Sequence, residues 1–396
     1  MSEKRKDKKG RVLRTGESQR KDLTYQYRYQ DVTGKRCTVY APTLEELRTK
    51  EKMICHALEA GTNYGAGNIT VMELLERYIS LKQGVRNSTQ VGYGFVMSLV
   101  KKEEFGKRKI RDIKTSDAKL WMMKLQKDGR GYSTITSVRG VIKPAFQMAY
   151  EEDVIQKNPF NFKLTDVVKN DSQKRIALTQ EQTDRFMGFV REDKHFSCYY
   201  DEFVVLLETG MRVSELCGLT RSQLDFDRRR IWVDHQLVRK PDGTYYVERT
   251  KTESGRRFIP MTDQSYNALK NIIAKRKKPT KEWMIDGYSG FLLLDKNGNP
   301  KVAMHIEHHF QWALKKYHKL HPEKPLPKIT PHVFRHTFCT QMAHAGMDLK
   351  SLQYLMGHSD ASVTLNVYTH ATYEHAEASM QRIMQLRLPD GDRKLG

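Results

Sequence analysis

The chain has 396 residues, 38% of them hydrophobic, and is therefore long enough to form two or three folded domains. Sixty-nine lysines and arginines against 47 aspartates and glutamates give a formal net charge of +22. This composition excludes a disordered chain, and the positive excess predicts binding to the phosphate backbone of nucleic acid. A merely basic surface or a lipid partner is the alternative, although the sequence lacks the amphipathic basic anchor that lipid binding would need.

Targeting signals and cysteines narrow the class of protein further. No apolar run is long enough to cross a membrane, and the lysine-rich beginning lacks the apolar segment of a signal peptide. We therefore expect the protein to stay in the compartment where it is made. The cysteines are spread without a CxxC pair, so we expect reduced thiols and neither disulfides nor a cysteine zinc site. They are Cys37, Cys55, Cys198, Cys217 and Cys339.

Residues 1–62 are predicted to form a small α+β domain. Two alternating polar and apolar runs between Lys21 and Tyr40 predict a β-hairpin, and Thr43 is placed to cap a following helix that ends near Gly61. Basic and aromatic residues interleave along the hairpin, a pattern that suits contact with DNA. Packing of the tyrosines across the strands is the alternative. The candidate contacts are Tyr25, Tyr27, Arg28, Lys35 and Arg36.

Residues 67–160 are predicted to form an all-α domain after a break rich in glycine and asparagine. Four segments with helical spacing follow one another, and most of them begin at serine or threonine. Basic residues in the loops and at helix starts could lie along DNA, although a solvated helix face explains each of them equally well. The candidate contacts are Lys82, Arg86, Arg139 and Lys143. Residues 161–178 lack periodicity and are predicted to be a linker.

Residues 179–396 are predicted to form a mainly helical domain with a strand-rich section at 229–261. Arg212 follows a Thr-Gly turn into a helix, where a guanidinium and backbone N–H groups can together hold an anion. Lys251 is predicted to lie at the tip of a β-hairpin whose turn Gly255 permits. Each of these signals is weak by itself.

Three further signals lie near the end of the chain. Pro331 is predicted at the first position of a helix, which places His332 and Arg335 three residues apart on one helical face. His358 follows a glycine, and Tyr368 comes ten residues later in a segment with polar neighbours.

Order and spacing together resemble the tyrosine recombinases, the family of phage and conjugative-transposon integrases. The family pattern is an arginine, a hairpin lysine, a His-x-x-Arg motif, a Gly-His pair and a tyrosine. The resemblance implies a multidomain fold, with a small α+β N-terminal arm-type DNA-binding domain, an all-α core-binding domain and a mainly α (α+β) catalytic domain. The matching residues are Arg212, Lys251, His332, Arg335, His358 and Tyr368.

The resemblance also implies a reaction that needs neither a metal nor another cofactor. Tyr368 would attack phosphorus and form a 3′-phosphotyrosine bond, which conserves the energy needed to rejoin strands. Arg212 and Arg335 would stabilise the charge that builds on the non-bridging oxygens. Lys251 would give a proton to the leaving 5′-oxygen, His332 would exchange a proton with the tyrosine, and His358 would hydrogen-bond the phosphate.

Partners follow from the same resemblance. We expect double-stranded DNA at core and arm attachment sites, and a homo-tetramer that integrates and excises a mobile element through a Holliday junction. An excisionase or a host DNA-bending protein would be the accessory partner, and no membrane is involved. The expected location is on DNA in the bacterial cytoplasm. The tail from Thr372 has helical spacing and would dock on a neighbouring subunit or pack on its own domain.

Several alternatives stay open from the sequence. His332 and His336 have the spacing of a helical zinc pair, although no glutamate lies between them as in HExxH. Tyr373 is a rival nucleophile to Tyr368, and we interpret Glu215 as an ion-pair or packing partner instead of a base. A type IB topoisomerase would use the same nucleophile and arginines, and a DNA-binding regulator would share the basic charge.

Overall fold

The structure of the protein, a computed structural model, describes nearly the whole chain in two compact units, 1–173 and 174–396. The described residues are 5–31, 34–59, 68–172, 176–240, 242–250, 253–277, 279, 281–368 and 380. Among them, none of the helices combines the length and hydropathy needed to cross a membrane.

A three-stranded antiparallel sheet and one helix form the first part of the chain. The strands are β1 (Glu17–Gln19), β2 (Tyr25–Gln30) and β3 (Arg36–Ala41), and the helix is α1 (Leu44–Glu59). The predicted hairpin of β2 and β3 is confirmed, as is the cap at Thr43, whose hydroxyl accepts the Glu46 N–H at 3.2 Å. Strand β1 was not predicted, because three residues are too few to show alternation.

Alternation along β2 decides which tyrosines face the core. Tyr25 is only 3% exposed and packs with Leu44 and Leu47 of α1. Its hydroxyl hydrogen-bonds the Asp7 carboxylate at 3.0 Å, so both its ring and its polar end are used inside the fold. This placement corrects the prediction that Tyr25 contacts DNA. The opposite face of the sheet carries Gln26 and Arg28 instead, because successive side chains of a strand point to opposite faces.

Helices make up the rest of the first unit. All four predicted helical segments are confirmed, although the second one breaks at Glu103 into two helices. The bounds are α2 (Val71–Ser80), α3 (Asn87–Lys102), α4 (Glu104–Lys107), α5 (Thr115–Lys127) and α6 (Tyr132–Glu151). Their core includes stacked rings of Phe105 and Trp121, 4.4 Å between centroids. Leu164 and Val168, from the segment expected to be a linker, are buried in the same core.

The second unit combines helices with two small antiparallel sheets. Its helices are α7 (Gln180–Glu192), α8 (Tyr200–Thr209), α9 (Val213–Gly218), α10 (Asp263–Lys275), α11 (Ala303–Leu320), α12 (Pro331–His344), α13 (Leu349–Met356) and α14 (Ala361–Tyr368). Its strands are β4 (Leu224–Asp225), β5 (Arg230–Val233), β6 (His235–Arg239), β7 (Tyr245–Arg249) and β8 (Arg257–Pro260). Phe186, Phe203, Phe310 and Phe334 pack against one another at its centre, which joins α7, α8, α11 and α12.

Strand pairing corrects the predicted surroundings of Lys251. Strand β7 pairs with β6, whereas β8 pairs with β5 in the other sheet, so β7 and β8 do not form a hairpin. Pairing between distant strands leaves no local trace in a sequence, and a glycine between two strand-like runs suggested the simpler arrangement. Lys251 belongs to the connection between β7 and β8 and lies outside the described residues.

Candidate active site

A left-handed turn positions the first arginine of the predicted set. Helix α8 ends at Thr209 and is followed by Gly210, whose φ of 60° suits glycine. A Cβ at Gly210 would lie 2.3 Å from a ring carbon of Phe338. The chain then turns into α9 at Arg212, whose backbone N–H donates to the Glu215 carboxylate at 2.8 Å. The local sequence therefore fixes the backbone of Arg212 at the start of a helix, as predicted.

Arg335 is brought to the same place by helix α12. The helix begins at Pro331 as predicted, and the hydroxyl of Thr330 accepts the Val333 N–H at 3.2 Å. Arg335 is 5% exposed and donates to the carbonyl of Gly210 at 2.6 Å and to that of Met356. Burial, together with the charge of Arg212, lowers the pKa of Arg335 to about 9, which still leaves it cationic at neutral pH.

Glu215 is the carboxylate around which these groups assemble. Its oxygens accept from the Arg212 guanidinium at 2.7 Å and from two nitrogens of Arg257 at 2.9 and 3.2 Å. Burial would raise the pKa of Glu215, but Arg257 above all, then Arg212 and Arg335, outweigh it and hold the pKa at about 2. Glu215 is therefore an ionised ion-pair partner, as the sequence suggested, and is unsuited to act as a base.

His358 lies in the turn that follows α13. That helix ends at Met356 and is followed by Gly357, whose φ is 61° and whose carbonyl accepts from the Arg212 guanidinium at 3.0 Å. The His358 Nδ1 lies 2.9 Å from the hydroxyl of Thr364, which orients the ring. Burial, and then the charges of Arg335 and Arg212, lower the pKa of His358 to about 4, so the ring is neutral at neutral pH.

The cluster carries more positive than negative charge. Three guanidiniums, those of Arg212, Arg257 and Arg335, face one carboxylate, that of Glu215, which leaves a surplus of two positive charges. Arg212 still has 37% of its side chain exposed, whereas Arg257 is fully buried. An exposed guanidinium edge backed by buried positive charge can hold an anion, and a phosphate diester fits that charge and those donors.

Sequence reasoning missed Arg257. The alternation of Arg257, Phe258 and Ile259 places the arginine on the same face of β8 as a core residue, and this was the signal that could have found it. Its partner Glu215 lies 42 residues earlier, so local spacing gave no hint of the pair.

The remaining members of the predicted set are positioned less fully. His332 is exposed on the first turn of α12, three residues before Arg335. Helix α14 begins at Ala361, soon after the His358 turn, and ends at Tyr368. The Tyr368 side chain lies outside the described part of the chain. The same holds for Lys251, Tyr373 and the tail after residue 368, apart from Met380.

Comparison with known proteins decides the family. Residues 177–375 match the model of the phage integrase family, and residues 1–58 match that of the DNA binding domain of Tn916 integrase. The transposase from transposon Tn916 of Enterococcus faecalis is 41% identical over 396 residues, covering 97% of each chain. The Tn1549 transposon integrase, solved in complex with a circular intermediate DNA, is 43% identical, with a TM-score of 0.76 over 80% of this chain and 99% of that chain.

The chain belongs to the phage integrase family of tyrosine recombinases. Lambda integrase, solved as a tetramer on a Holliday junction, is 17% identical with a TM-score of 0.54 and shares the fold over 89% of this chain and 94% of that chain. The predicted function and enzyme class are therefore confirmed: the integrase is a site-specific DNA recombinase of the transposon type, and neither alternative class is favoured.

The N-terminal sheet of the integrase presents part of the predicted DNA-contact set. Arg28, Lys35 and Arg36 are exposed, whereas Tyr27 is half-buried with its ring 5.9 Å from that of Tyr29. Tyr40, which was not predicted, is 52% exposed and stands opposite Gln26 on the open face. The face away from α1 therefore joins basic, amide and aromatic groups.

The predicted contacts in the helical part differ in how far they are engaged within the fold. Arg139 donates to the carbonyls of Phe160 and Phe162, and the ammonium of Lys143 donates to the Asn161 side chain at 3.3 Å. Lys82 is exposed, with its ammonium 4.7 Å from the ring centroid of Tyr78, and Arg86 stands at the start of α3. Contact of all four with DNA stays a prediction.

Proposed function

We propose that this integrase cuts and rejoins DNA strands with Tyr368 as nucleophile and with Arg212, Arg335 and His358 as the phosphate site. The observation that carries the proposal is the surplus of positive charge around Glu215, because three guanidiniums and one carboxylate favour the binding of an anion. A phosphate diester carries one negative charge, and a second builds on its non-bridging oxygens as the nucleophile attacks. Preorganised donors stabilise such developing charge most.

Bonds and protons are distributed as follows. The Tyr368 oxygen bonds to phosphorus while the bond to the 5′-oxygen breaks, which gives a 3′-phosphotyrosine and a free 5′-hydroxyl. Lys251 gives its proton to the leaving oxygen, and His332 takes the tyrosine proton. His358, whose neutral ring is held by Thr364, donates a hydrogen bond to a phosphate oxygen. Attack by a second strand's 5′-hydroxyl reverses these steps, so the strands are exchanged without ATP or a metal.

Recognition of the two kinds of site is divided between the ends of the chain in this proposal. The N-terminal domain, residues 1–62, reads arm sites with the open face of its sheet, on which Arg28, Arg36 and Tyr40 stand. The helical core-binding domain starts at residue 67, and the catalytic domain covers 179–396 with the tail. Burial of Leu164 and Val168 supports a linker shorter than 161–178.

Assembly and location complete the proposal. Four copies act on two duplexes at attachment sites, and the tail after Tyr368 docks on a neighbour. An excisionase or a host DNA-bending protein sets the direction of exchange, and the protein works on DNA in the cytoplasm of a bacterial cell. The Tn1549 integrase, 43% identical, was solved on a circular intermediate DNA, which supports the same substrate here.

The test is covalent capture on DNA. Wild type, Tyr368→Phe and Tyr373→Phe are incubated in EDTA with a nicked duplex carrying an element end, and the products are resolved under denaturing conditions. We expect a 3′-linked adduct with wild type and Tyr373→Phe and none with Tyr368→Phe, which should still bind the duplex. An adduct that persists in Tyr368→Phe would transfer the nucleophile role to another residue. In a separate assay on a closed, supercoiled plasmid, relaxation without strand exchange would favour a topoisomerase.

A further inference from the structure

Arg257 occupies an unusual position for a charged residue. It begins β8, is 0% exposed, and hydrogen-bonds three separate segments of the second unit. Its guanidinium donates to Glu215 at 2.9 and 3.2 Å, to the Leu355 carbonyl at 2.6 Å and to the Gly255 carbonyl at 3.2 Å. Because it is fully buried, Arg257 cannot touch a phosphate of bound DNA.

These bonds close a ring through the proposed phosphate site. Glu215 accepts from both Arg257 and Arg212, and Arg212 in turn donates to the Gly357 carbonyl at 3.0 Å. Gly357 follows Leu355 by two residues, so Arg257 and Arg212 both hold the turn that carries His358. Each group in the ring limits the movement of the next.

The packing around Gly357 shows how tightly this ring is closed. A Cβ at Gly357 would lie 2.9 Å from the nearest guanidinium nitrogen of Arg257 and 3.2 Å from the carbonyl oxygen of Ser254. Glycine is needed there both for the φ of 61° and for this close approach. The turn before His358 therefore packs against the Arg257 guanidinium at Gly357 and accepts a hydrogen bond from it at the Leu355 carbonyl.

We propose that Arg257 is a positioning residue for strand cleavage, which fixes Arg212 and the His358 turn against the scissile phosphate. The inference rests on the function proposed above. Stability alone is a poor reason to keep such a group, because well-packed apolar residues can often replace a buried ion pair without loss. Orientation of the exposed guanidinium is a better one, since a displacement of about 1 Å in a catalytic site can cost about 10²-fold in rate.

The experiment compares two substrates that differ only in charge at the scissile position. One carries the natural phosphate diester, and the other a methylphosphonate, in which a methyl group replaces one charged oxygen. If Arg257 acts by orienting Arg212, its variants should lose the most cleavage rate on the diester, whose two non-bridging oxygens need guanidinium charge. We expect Arg257→Gln and Arg257→Lys to form the adduct about 10²-fold more slowly on the diester, and to lose less than about tenfold on the methylphosphonate.

Matched variants separate this role from folding. Arg256→Gln removes the same charge from the exposed neighbouring position and should keep the wild-type ratio of the two rates. Arg212→Ala should give the same substrate preference as Arg257→Gln. Gly357→Ala would also strain the turn that carries His358, so Arg257→Lys, which keeps the charge, is the variant that preserves the test if Arg257→Gln does not fold.

Two outcomes would overturn the positioning role. An equal loss on both substrates, in variants whose thermal unfolding shows them to be folded, would mean that Arg257 only supports the fold. Wild-type rates in Arg257→Lys would mean that charge alone is required and not the set of directed bonds. If wild type itself formed no adduct on the diester, the proposed function would fail and this role with it, which distinguishes the two failures.

Discussion

Two clusters of buried charge in this integrase differ in their balance. In the N-terminal part, three acidic side chains that are mostly buried pair with three arginines. The pairs are Asp7 with Arg11, Glu51 with Arg14, and Glu17 with Arg48. In the second unit, the Glu215 carboxylate accepts from two arginines, Arg212 and Arg257, and the charge of a third, Arg335, helps to lower its pKa. Both clusters are networks of directed hydrogen bonds, so geometry alone would not tell them apart.

The difference in charge shows what each cluster is for. The three acids and three arginines of the N-terminal network balance in formal charge, so no ligand is needed to neutralise them and we assign the network to the support of the fold. In the function proposed above, the surplus of two positive charges around Arg212 is balanced by the phosphate of bound DNA. Charge balance, more than the number of hydrogen bonds, is therefore what distinguishes these two networks.

The largest expected effect concerns Lys251, the proposed donor of a proton to the leaving 5′-oxygen. Lys251→Ala should slow cleavage of the natural substrate by about 10² to 10⁴-fold, because the 5′-oxygen would leave without a proton. In a substrate whose 5′-oxygen is replaced by sulfur, the sulfur leaves as a thiolate without needing a proton. The variant should cleave that substrate at nearly the wild-type rate. Equal losses on both substrates would place Lys251 among the positioning groups.

A smaller effect is expected on the open face of the N-terminal sheet. Arg28→Ala should weaken binding to arm-site DNA by roughly tenfold. It should also reduce the slope of log K against log salt concentration by about one, the value expected for one lost phosphate contact. Cleavage of a short core-site duplex should stay unchanged, because the catalytic cluster is untouched. Lys21→Ala removes an exposed charge outside the strands and is the control in a titration by fluorescence anisotropy.

The smallest effect concerns the response of stability to acid. The His309 ring is stacked on that of Tyr199, with 3.7 Å between the ring centroids. Burial, and then the charge of Lys301, lower the pKa of His309 to about 3. The pKa of a histidine in the unfolded chain is about 6.5, so below that pH the unfolded chain binds a proton that the folded protein does not. The folded state therefore loses stability as pH falls from 6.5 toward 3, and is unaffected by this group above 6.5. His358, with a pKa of about 4, acts in the same direction.

Replacing His309 tests that response. His309→Phe keeps the stacked ring and should lower the difference in melting temperature between pH 7 and pH 5. Glu215, with a pKa of about 2, should not contribute in this window, since its stabilisation is lost only below the unfolded value of about 4.5. An unchanged difference in the variant would remove His309 from the explanation.

The sequence predicts these two regions unequally. Arg212, Arg335 and His358 could be found because each stands at a local signal, a turn or a helix start, whose chemistry is visible in a few residues. Tyr25 was assigned wrongly because alternation predicts a strand without saying which face will be covered by α1. The Arg257–Glu215 pair and the pairing of β5 with β8 depend on residues distant in the chain, which spacing does not encode.

The most direct test removes one arginine from each cluster. Arg212→Ala and Arg48→Ala are compared by their rates of adduct formation on the nicked duplex and by their midpoints of thermal unfolding. We expect Arg212→Ala to lose about 10² to 10³-fold in rate with a nearly unchanged midpoint, and Arg48→Ala to lose stability while the folded protein reacts at the wild-type rate. A wild-type rate in Arg212→Ala, or a slow but fully stable Arg48→Ala, would contradict the assignment of the two clusters.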